Sequence, residues 1–324
     1  MYSLKELQTK VGQIFASQNF GGTPQGLYEP ISYTLALGGK RIRPTMLLAA
    51  TDLFGADIEQ AHHAAIGIEL FHNFTLLHDD LMDRSPVRRG QPTVYRRWNE
   101  NTAILSGDAM HILAWQQFIK QPHKNLQAIL QTFGKTCIEI HEGQQLDMDF
   151  EQRNDVTLDE YMEMIRLKTA VLLGGALKIG ALYADASPAD TERLYNFGIM
   201  TGLAFQLRDD LLDAYGDTAT FGKQTGTDIK DNKKTALLLI ALQKADAKQK
   251  ERLQQLFAST PQQPDAKIAE VLDIYSQLDI RSDVEQRIAE LHNKAMSHLD
   301  TVEVDEERKQ PLRQLACQLQ GRNI

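Results

Sequence analysis

The sequence predicts an all-α protein, and three observations carry that expectation. Apolar residues recur at helical spacing in one segment after another. No stretch shows the two-residue alternation of a half-buried strand. Capping signals and glycine or proline breaks punctuate the chain where one helix should give way to the next.

Taken in order, residues 3–16 read as an amphipathic helix with Leu4, Leu7, Val11, Ile14 and Phe15 on one face. Asn19 to Pro24 is a loop, and a second helix runs through Leu35 to Gly38-Gly39. Lys40-Arg41-Ile42-Arg43-Pro44 then sets three cations beside a glycine pair, with Pro44 able to open the next helix. Residues 57–83 form one long helix, apolar at Ala64, Ala65, Ile68, Leu70, Phe71, Phe74, Leu76 and Leu77. It ends in His78-Asp79-Asp80-Leu81-Met82-Asp83, and residues 84–93 form a loop rich in Arg, Pro and Gly.

Helices follow at 101–118 and 122–146, and Thr157-x-x-Glu160 is a capping box that opens another. That helix runs through Lys168-Thr169 into the Gly/Ala-rich stretch ending at Tyr183. Ser187-Pro188-x-Asp190 starts the helix that leads, with or without a break, to Phe205-Gln206-Leu207-Arg208-Asp209-Asp210-Leu211-Leu212-Asp213. Gly216 to Asn232 is a loop carrying Lys223; Asp231-Asn232-Lys233-Lys234 precedes a Leu/Ile/Ala helix, and 246–320 is further helix. The only repeat is the acidic-cluster helix, which predicts a bundle with its two functional helices facing each other.

Composition narrows the possibilities. Apolar residues make up 42% of the chain, enough for a large core, and no low-complexity linker divides it. A net charge of −8 argues against a nucleic-acid partner. Cys137 and Cys317 are too few for a disulfide framework or a thiolate metal site, so a reducing cytoplasm is expected. The N-terminus lacks the layout of a signal peptide, and the longest apolar patches fall short of the ~20 residues that span a bilayer.

The two Asp-Asp-x-x-Asp clusters carry the chemistry. Asp79 and Asp83 share one helix face, as do Asp209 and Asp213, and like charges at that spacing repel. One such pair is ordinarily a solvated face. Two, each after a Leu/Phe-rich run and before a basic loop, point to a bound cation. Hard oxygen ligands without thiolates or paired imidazoles select Mg²⁺, which takes one or two carboxylates plus water and phosphate oxygens. Three arginines within six residues of Asp83 complete what a diphosphate needs: metal on one side, forked donors on the other. His72 lies two turns before Asp79 on nearly the same face, where it can reach a bound anion.

These motifs resemble the trans-isoprenyl diphosphate synthases of the polyprenyl synthetase family. The matching features are Gly-Gly-Lys-Arg-Ile-Arg-Pro, His-x5-His-Asp-Asp-x-x-Asp, Arg-Arg-Gly, Lys-Thr, Phe-Gln-x-x-Asp-Asp-x-x-Asp and Gly-Lys-x-x-Gly-Thr-Asp-x-x-x-Asn-Lys, in that order from Gly38 to about Lys234. Each is weak or moderate alone; six in order are specific. The resemblance implies a single domain over 1–324, a helical bundle of the isoprenoid synthase type around a deep apolar cavity, usually a homodimer. It implies head-to-tail condensation of isopentenyl diphosphate with an allylic diphosphate.

Residue by residue, it implies that Asp79, Asp83 and Asp209 hold three Mg²⁺ ions on the allylic diphosphate, which Arg88, Lys168, Lys223 and Lys233 also contact. Thr169 and Gln206 would line the reacting centre. Lys40, Arg43, His72 and Arg89 would bind the diphosphate of isopentenyl diphosphate. Asp80, Asp210 and Asp213 would act through water or behind the ligating groups. Phe74, five residues before Asp79 and so roughly 7.5 Å along the helix, is expected to floor the tube for the growing tail, with small Thr75 beside it and Phe71 a turn below. That favours geranylgeranyl diphosphate (C20), then farnesyl diphosphate (C15), then longer products. A class I terpene cyclase shares the first acidic motif but normally carries an Asn/Ser/Glu motif in place of the second. A non-catalytic regulatory subunit normally loses one of the two.

Overall fold

Helix boundaries in the computed structural model, which describes residues 1–216, 225–258 and 263–321, follow the capping chemistry. α1 (Leu4–Ala16) opens on a reciprocal box in which Ser3 and Glu6 each satisfy the other's amide. α2 (Gln25–Ala36) and α3 (Ile42–Leu53) are separated by Gly38, Gly39 and Arg41, all at positive φ. A single 3₁₀ turn, Ile58–Ala61, precedes α4 (His62–Met82), so the long helix expected from residue 57 begins one turn late.

The 84–93 segment is more ordered than its Pro/Gly content suggests. β1 (Val87–Arg88) pairs antiparallel with β2 (Gln91–Pro92), and both turn residues, Arg89 and Gly90, have positive φ. These two-residue strands are the only sheet among the described residues, and the all-α class stands. α5 (Val94–Arg97) and α6 (Glu100–Ile119) follow, the latter capped by Asn99.

α7 (Leu126–Gln152) runs past the expected end at 146 and keeps Asp147 and Glu151 helical. α8 (Leu158–Ile165) has the expected Thr157/Glu160 box. Arg166–Ala170 is a π-helical turn where the sequence pattern predicts ordinary helix, and α9 (Val171–Tyr183) resumes after it. α10 (Pro188–Tyr215) is 28 residues long without a break. The remaining helices span Thr227–Lys230, Ala236–Lys244, Ala247–Phe257, Pro264–Gln277, Ile280–Asp300 and Glu306–Gln320. Among the described residues no helix is long and apolar enough to cross a membrane.

Two compact units divide the chain. The first holds Met1–Phe133, Ala176–Thr191 and Glu303–Leu312; the second holds Gly134–Gly175, Glu192–Val302 and Arg313–Ile324. In the first, α4 lies along α6 over fully buried Phe71, Phe118 and Phe133. In the second, the Ala236–Lys244 helix packs on α8 and on Ile280–Asp300, burying Leu237, Leu238, Leu239 and Ile240. Burial of these aliphatic and aromatic side chains, at ~1.5–3 kcal/mol each, supplies the rigidity on which charged groups can be mounted.

Candidate active site

In the first unit, α4 carries the acidic cluster at its C-terminal end. Asp83 is the C-cap, its amide donating to the Asp79 carbonyl at 2.8 Å, and its side chain is exposed. Asp80 points inward, 5% exposed, and its Oδ2 accepts from Arg88 Nε at 2.7 Å. Burial raises the Asp80 carboxyl above the usual range in spite of that arginine. Arg88 Nη2 also lies 3.8 Å from Asp79 Oδ2. The hairpin thus turns Arg88 back onto the helix end, where Asp80 holds it; Asp79 beside it is partly exposed and Asp83 is exposed.

A second group of cations sits two turns earlier. Arg43 Nη1 donates to His72 Nε2 at 3.0 Å, which places the ring proton on Nδ1. Burial, with Arg43, Arg89 and Arg88 nearby, holds His72 well below its ordinary range, so the imidazole is neutral at physiological pH. Burial also lowers Arg43, to about 10. The Arg89 guanidinium lies against Gly39, where a Cβ would come within 2.7 Å of Nη2. The structure therefore brings Arg43, His72 and Arg89 together, while Lys40 is exposed on the loop that follows Gly39.

Glu69, a carboxyl 4% exposed in the same helix, lies outside the motifs legible in the sequence. Burial raises its pKa while Arg43 opposes the rise. Its Oε2 and the Nε of Arg43 are both buried without a hydrogen bond. An acid within an otherwise apolar run, one turn before His72, was the available signal.

Phe74 is clamped. It stacks on His111 with ring centroids 4.8 Å apart at 13°, and meets His78 at 4.8 Å and Phe71 at 5.5 Å. Trp115 Nε1 donates to His111 Nε2 at 3.2 Å, steadying the ring behind it. Phe71 is fully buried against Phe133, and the Thr75 hydroxyl donates to the His72 carbonyl at 2.8 Å.

In the second unit the π turn sets the geometry. Lys168 Nζ donates to Asp147 Oδ2 at 2.7 Å, and the Thr169 hydroxyl donates to Gln206 Oε1 at 3.0 Å. Two glycines make room for the widened turn. A Cβ on Gly143 would lie 2.3 Å from the Lys168 amide nitrogen, and one on Gly202 would lie 2.5 Å from Ala170 Cα. Each glycine stands one turn before the side chain that receives a residue of the turn: Asp147 on α7, Gln206 on α10. Lys233 Nζ joins the same counter-ions, at 2.7 Å from Glu151 Oε1 and 3.8 Å from Asp147 Oδ2. Asp147, Glu151 and Tyr161 were not singled out from the sequence. Lys223 lies outside the described residues.

The second acidic cluster is largely engaged. Asp210, 4% exposed, accepts from the Tyr161 hydroxyl and from Gln206 Nε2 at 3.2 Å; burial pushes its pKa up to about 7. Asp213, 8% exposed, accepts from the Thr227 hydroxyl and, at 3.0 Å, from the Asp228 amide, capping the short Thr227–Lys230 helix. Burial, with Asp213, Asp210 and Asp209 around it, raises Asp228 well above the carboxylate range. Asp209 stays partly exposed.

As a donor set this fits magnesium: every candidate is a carboxylate oxygen, and arginine or lysine stands ready for phosphate oxygens. Among the described residues no three carboxylate, imidazole or thiolate groups converge on one point. The protein would then give each ion one or two oxygens, leaving the rest of the octahedron to water and diphosphate.

Compared with known proteins, residues 24–275 match the polyprenyl synthetase family. A short chain isoprenyl diphosphate synthase of Methanothermobacter thermautotrophicus is 39% identical over 254 residues, 78% of either chain. A geranylgeranyl diphosphate synthase of Methanosarcina mazei is 42% identical over 68% of this chain and 69% of its own. The crystal structure of a geranylgeranyl pyrophosphate synthase, 41% identical, superposes over 100% of both chains with a TM-score of 0.95.

Proposed function

The chain belongs to the polyprenyl synthetase family, and from that premise we propose that it extends allylic diphosphates to geranylgeranyl diphosphate. It is a short-chain trans-prenyltransferase, joining isopentenyl diphosphate head-to-tail to an allylic diphosphate. The relatives are synthases by name, and no observation favours a terpene cyclase or a regulatory subunit. The family match runs through both compact units, which supports reading 1–324 as one polyprenyl synthetase domain. A cytoplasmic homodimer is part of the proposal, the compartment on the scarcity of cysteine and the dimer on the family resemblance, and light scattering tests the dimer.

In the proposed site Asp79, Asp83 and Asp209 are the magnesium ligands, for three ions. The single observation that supports this assignment is exposure: Asp83 is exposed and Asp79 and Asp209 are partly exposed, whereas Asp80, Asp210 and Asp213 are buried. When bound, magnesium supplies neutralisation of the leaving diphosphate without proton transfer. Arg88, Lys168, Lys223 and Lys233 bind that diphosphate, and Lys40, Arg43, His72 and Arg89 bind the diphosphate of isopentenyl diphosphate. Lysine and arginine here stabilise charge that develops as the carbon–oxygen bond opens, which is where preorganised cations contribute most. Asp147 is the shared counter-ion that keeps Lys168 and Lys233 side by side before substrate arrives.

Thr169 and Gln206 stabilise the allylic cation through their oxygens. The proton of the Thr169 hydroxyl is committed to Gln206, and the Gln206 amide to Asp210, so Thr169 presents lone pairs rather than an acid. No strong side-chain base is needed, because the departing diphosphate accepts the proton lost after carbon–carbon bond formation. The chemistry requires that water be kept from the cation.

Phe74 sets the length. Its stacking on His111 and contact with Phe71 support a floor that does not swing aside. The reaction and its product are tested together by chromatography of products from dimethylallyl, geranyl and farnesyl diphosphates with labelled isopentenyl diphosphate. C20 is expected as the end point, and Phe74→Ala is expected to move it to longer chains. An unchanged distribution in that variant removes Phe74 as the floor.

A further inference from the structure

A buried lysine without an ion pair remains once these roles are assigned. Lys267, on the Pro264–Gln277 helix, is 5% exposed, with its ammonium 4.6 Å from the centre of the Phe257 ring. Its Nζ donates to Oδ1 of Asn232, and no carboxylate among the described residues lies within ion-pair distance. Burying a lysine without an ion-pair partner is costly, so its contact with Asn232 invites a role.

Asn232 occupies the left-handed region, with φ 61°. There the chain doubles back after the Thr227–Lys230 helix: the Lys233 amide donates to the Asp228 carbonyl at 2.9 Å, and Lys233 then reaches Glu151 and Asp147. Asp213 pins the start of this segment. We propose that Lys267 pins its end, as a positioning residue whose hold on the Asn232 side chain fixes the turn that presents Lys233 to the allylic diphosphate. This rests on the reading of Lys233 as a diphosphate ligand. Burial, with Lys234 adding to it and Asp231 opposing, lowers the Lys267 ammonium to about 8. The charge that strengthens its bond to Asn232 is therefore present below about pH 8 and lost above it.

Steady-state kinetics with geranyl diphosphate and isopentenyl diphosphate, each varied separately, test the proposal. Lys267→Met is expected to raise KM for geranyl diphosphate about tenfold while leaving KM for isopentenyl diphosphate unchanged. Lys267→Arg is expected to restore most of the loss. In the wild type the same KM is expected to rise several-fold with a midpoint about pH 8, and in Lys267→Met that rise is absent. Loosening of the fold does not mimic it. A lysine with a lowered pKa binds its proton less tightly folded than unfolded, so its contribution to stability grows from about pH 8 upward.

Lys233→Ala separates the two readings. If Lys233→Ala raises KM for geranyl diphosphate and Lys267→Met does not, the anchor is wrong and the ligand stands. If Lys233→Ala leaves it normal, the ligand reading falls and the anchor with it. Equal loss for both substrates in Lys267→Met also overturns the proposal. Should that variant not fold, Asn232→Asp decides: the new carboxylate is expected to move the wild-type midpoint to higher pH, and a midpoint that stays near 8 sinks the idea.

Discussion

At the end of α4, Asp79 and Asp80 of the acidic cluster meet an arginine turned back from a hairpin; within α10, Asp210 meets a tyrosine and a glutamine, and Asp213 meets the start of another helix. The two clusters have one spacing and one shared fate, that of the middle aspartate. Asp80 and Asp210 are both buried and both occupied by a donor. They diverge at the last position. Asp83 has already left its helix and faces solvent, whereas Asp213 is still helical and buried under the segment it caps. In the proposed site the same motif would thus offer a metal two carboxylates from α4 and one from α10. Spacing on a helix decides which side chains share a face; whether a neighbouring segment claims one of them is decided elsewhere.

The comparison breaks most visibly at the first positions. Asp79→Ala and Asp209→Ala are each expected to lower turnover by about a thousandfold or more, since each removes charge from the centre that stabilises the leaving group. Near-normal turnover in either variant takes that residue out of the metal site. Next in size is the support behind the lysine side. Gly143→Ala drives a methyl into the backbone of the π turn, and a displacement of Lys168 and Thr169 is expected to cost kcat about a hundredfold with the chain still folded by circular dichroism. A variant with wild-type kcat shows that the turn tolerates the shift.

The smallest effects sharpen the contrast at the last positions. Asp83→Asn is expected to raise the magnesium concentration for half-maximal rate and to leave the melting temperature alone. Asp213→Asn is expected to do the reverse, removing a charged cap at a cost of about 1 kcal/mol. If the two variants behave alike, the distinction between ligand and cap fails.

Much of this was legible in the residues. The capping boxes at Ser3 and Thr157 mark helix starts because the partners lie three residues apart, inside one turn. The acidic motifs, Lys-Thr and the arginine loop were visible because their chemistry is written in residue type and short spacing. The π turn was not, because one extra residue in a turn leaves the apolar pattern almost unchanged. Only the clash that a Cβ at Gly143 or Gly202 would make with its backbone reveals what those glycines are for. The hairpin at 87–92 is too short for an alternation to show. Asp147 and Lys267 escaped for a third reason: each looks like an ordinary helical charge until its partner, 21 residues away for one and 35 for the other, is known.

By itself the sequence determined that the chain is helical, where most helices begin and end, and which two segments concentrate carboxylates; these are local properties, set by periods of a few residues and by donors that reach three or four positions along the chain. Tertiary structure alone decided which aspartates are buried, which counter-ion holds the lysines, and which buried cation meets the turn before Lys233. Those outcomes depend on burial and on hydrogen bonds between segments distant in sequence, and no local pattern encodes them.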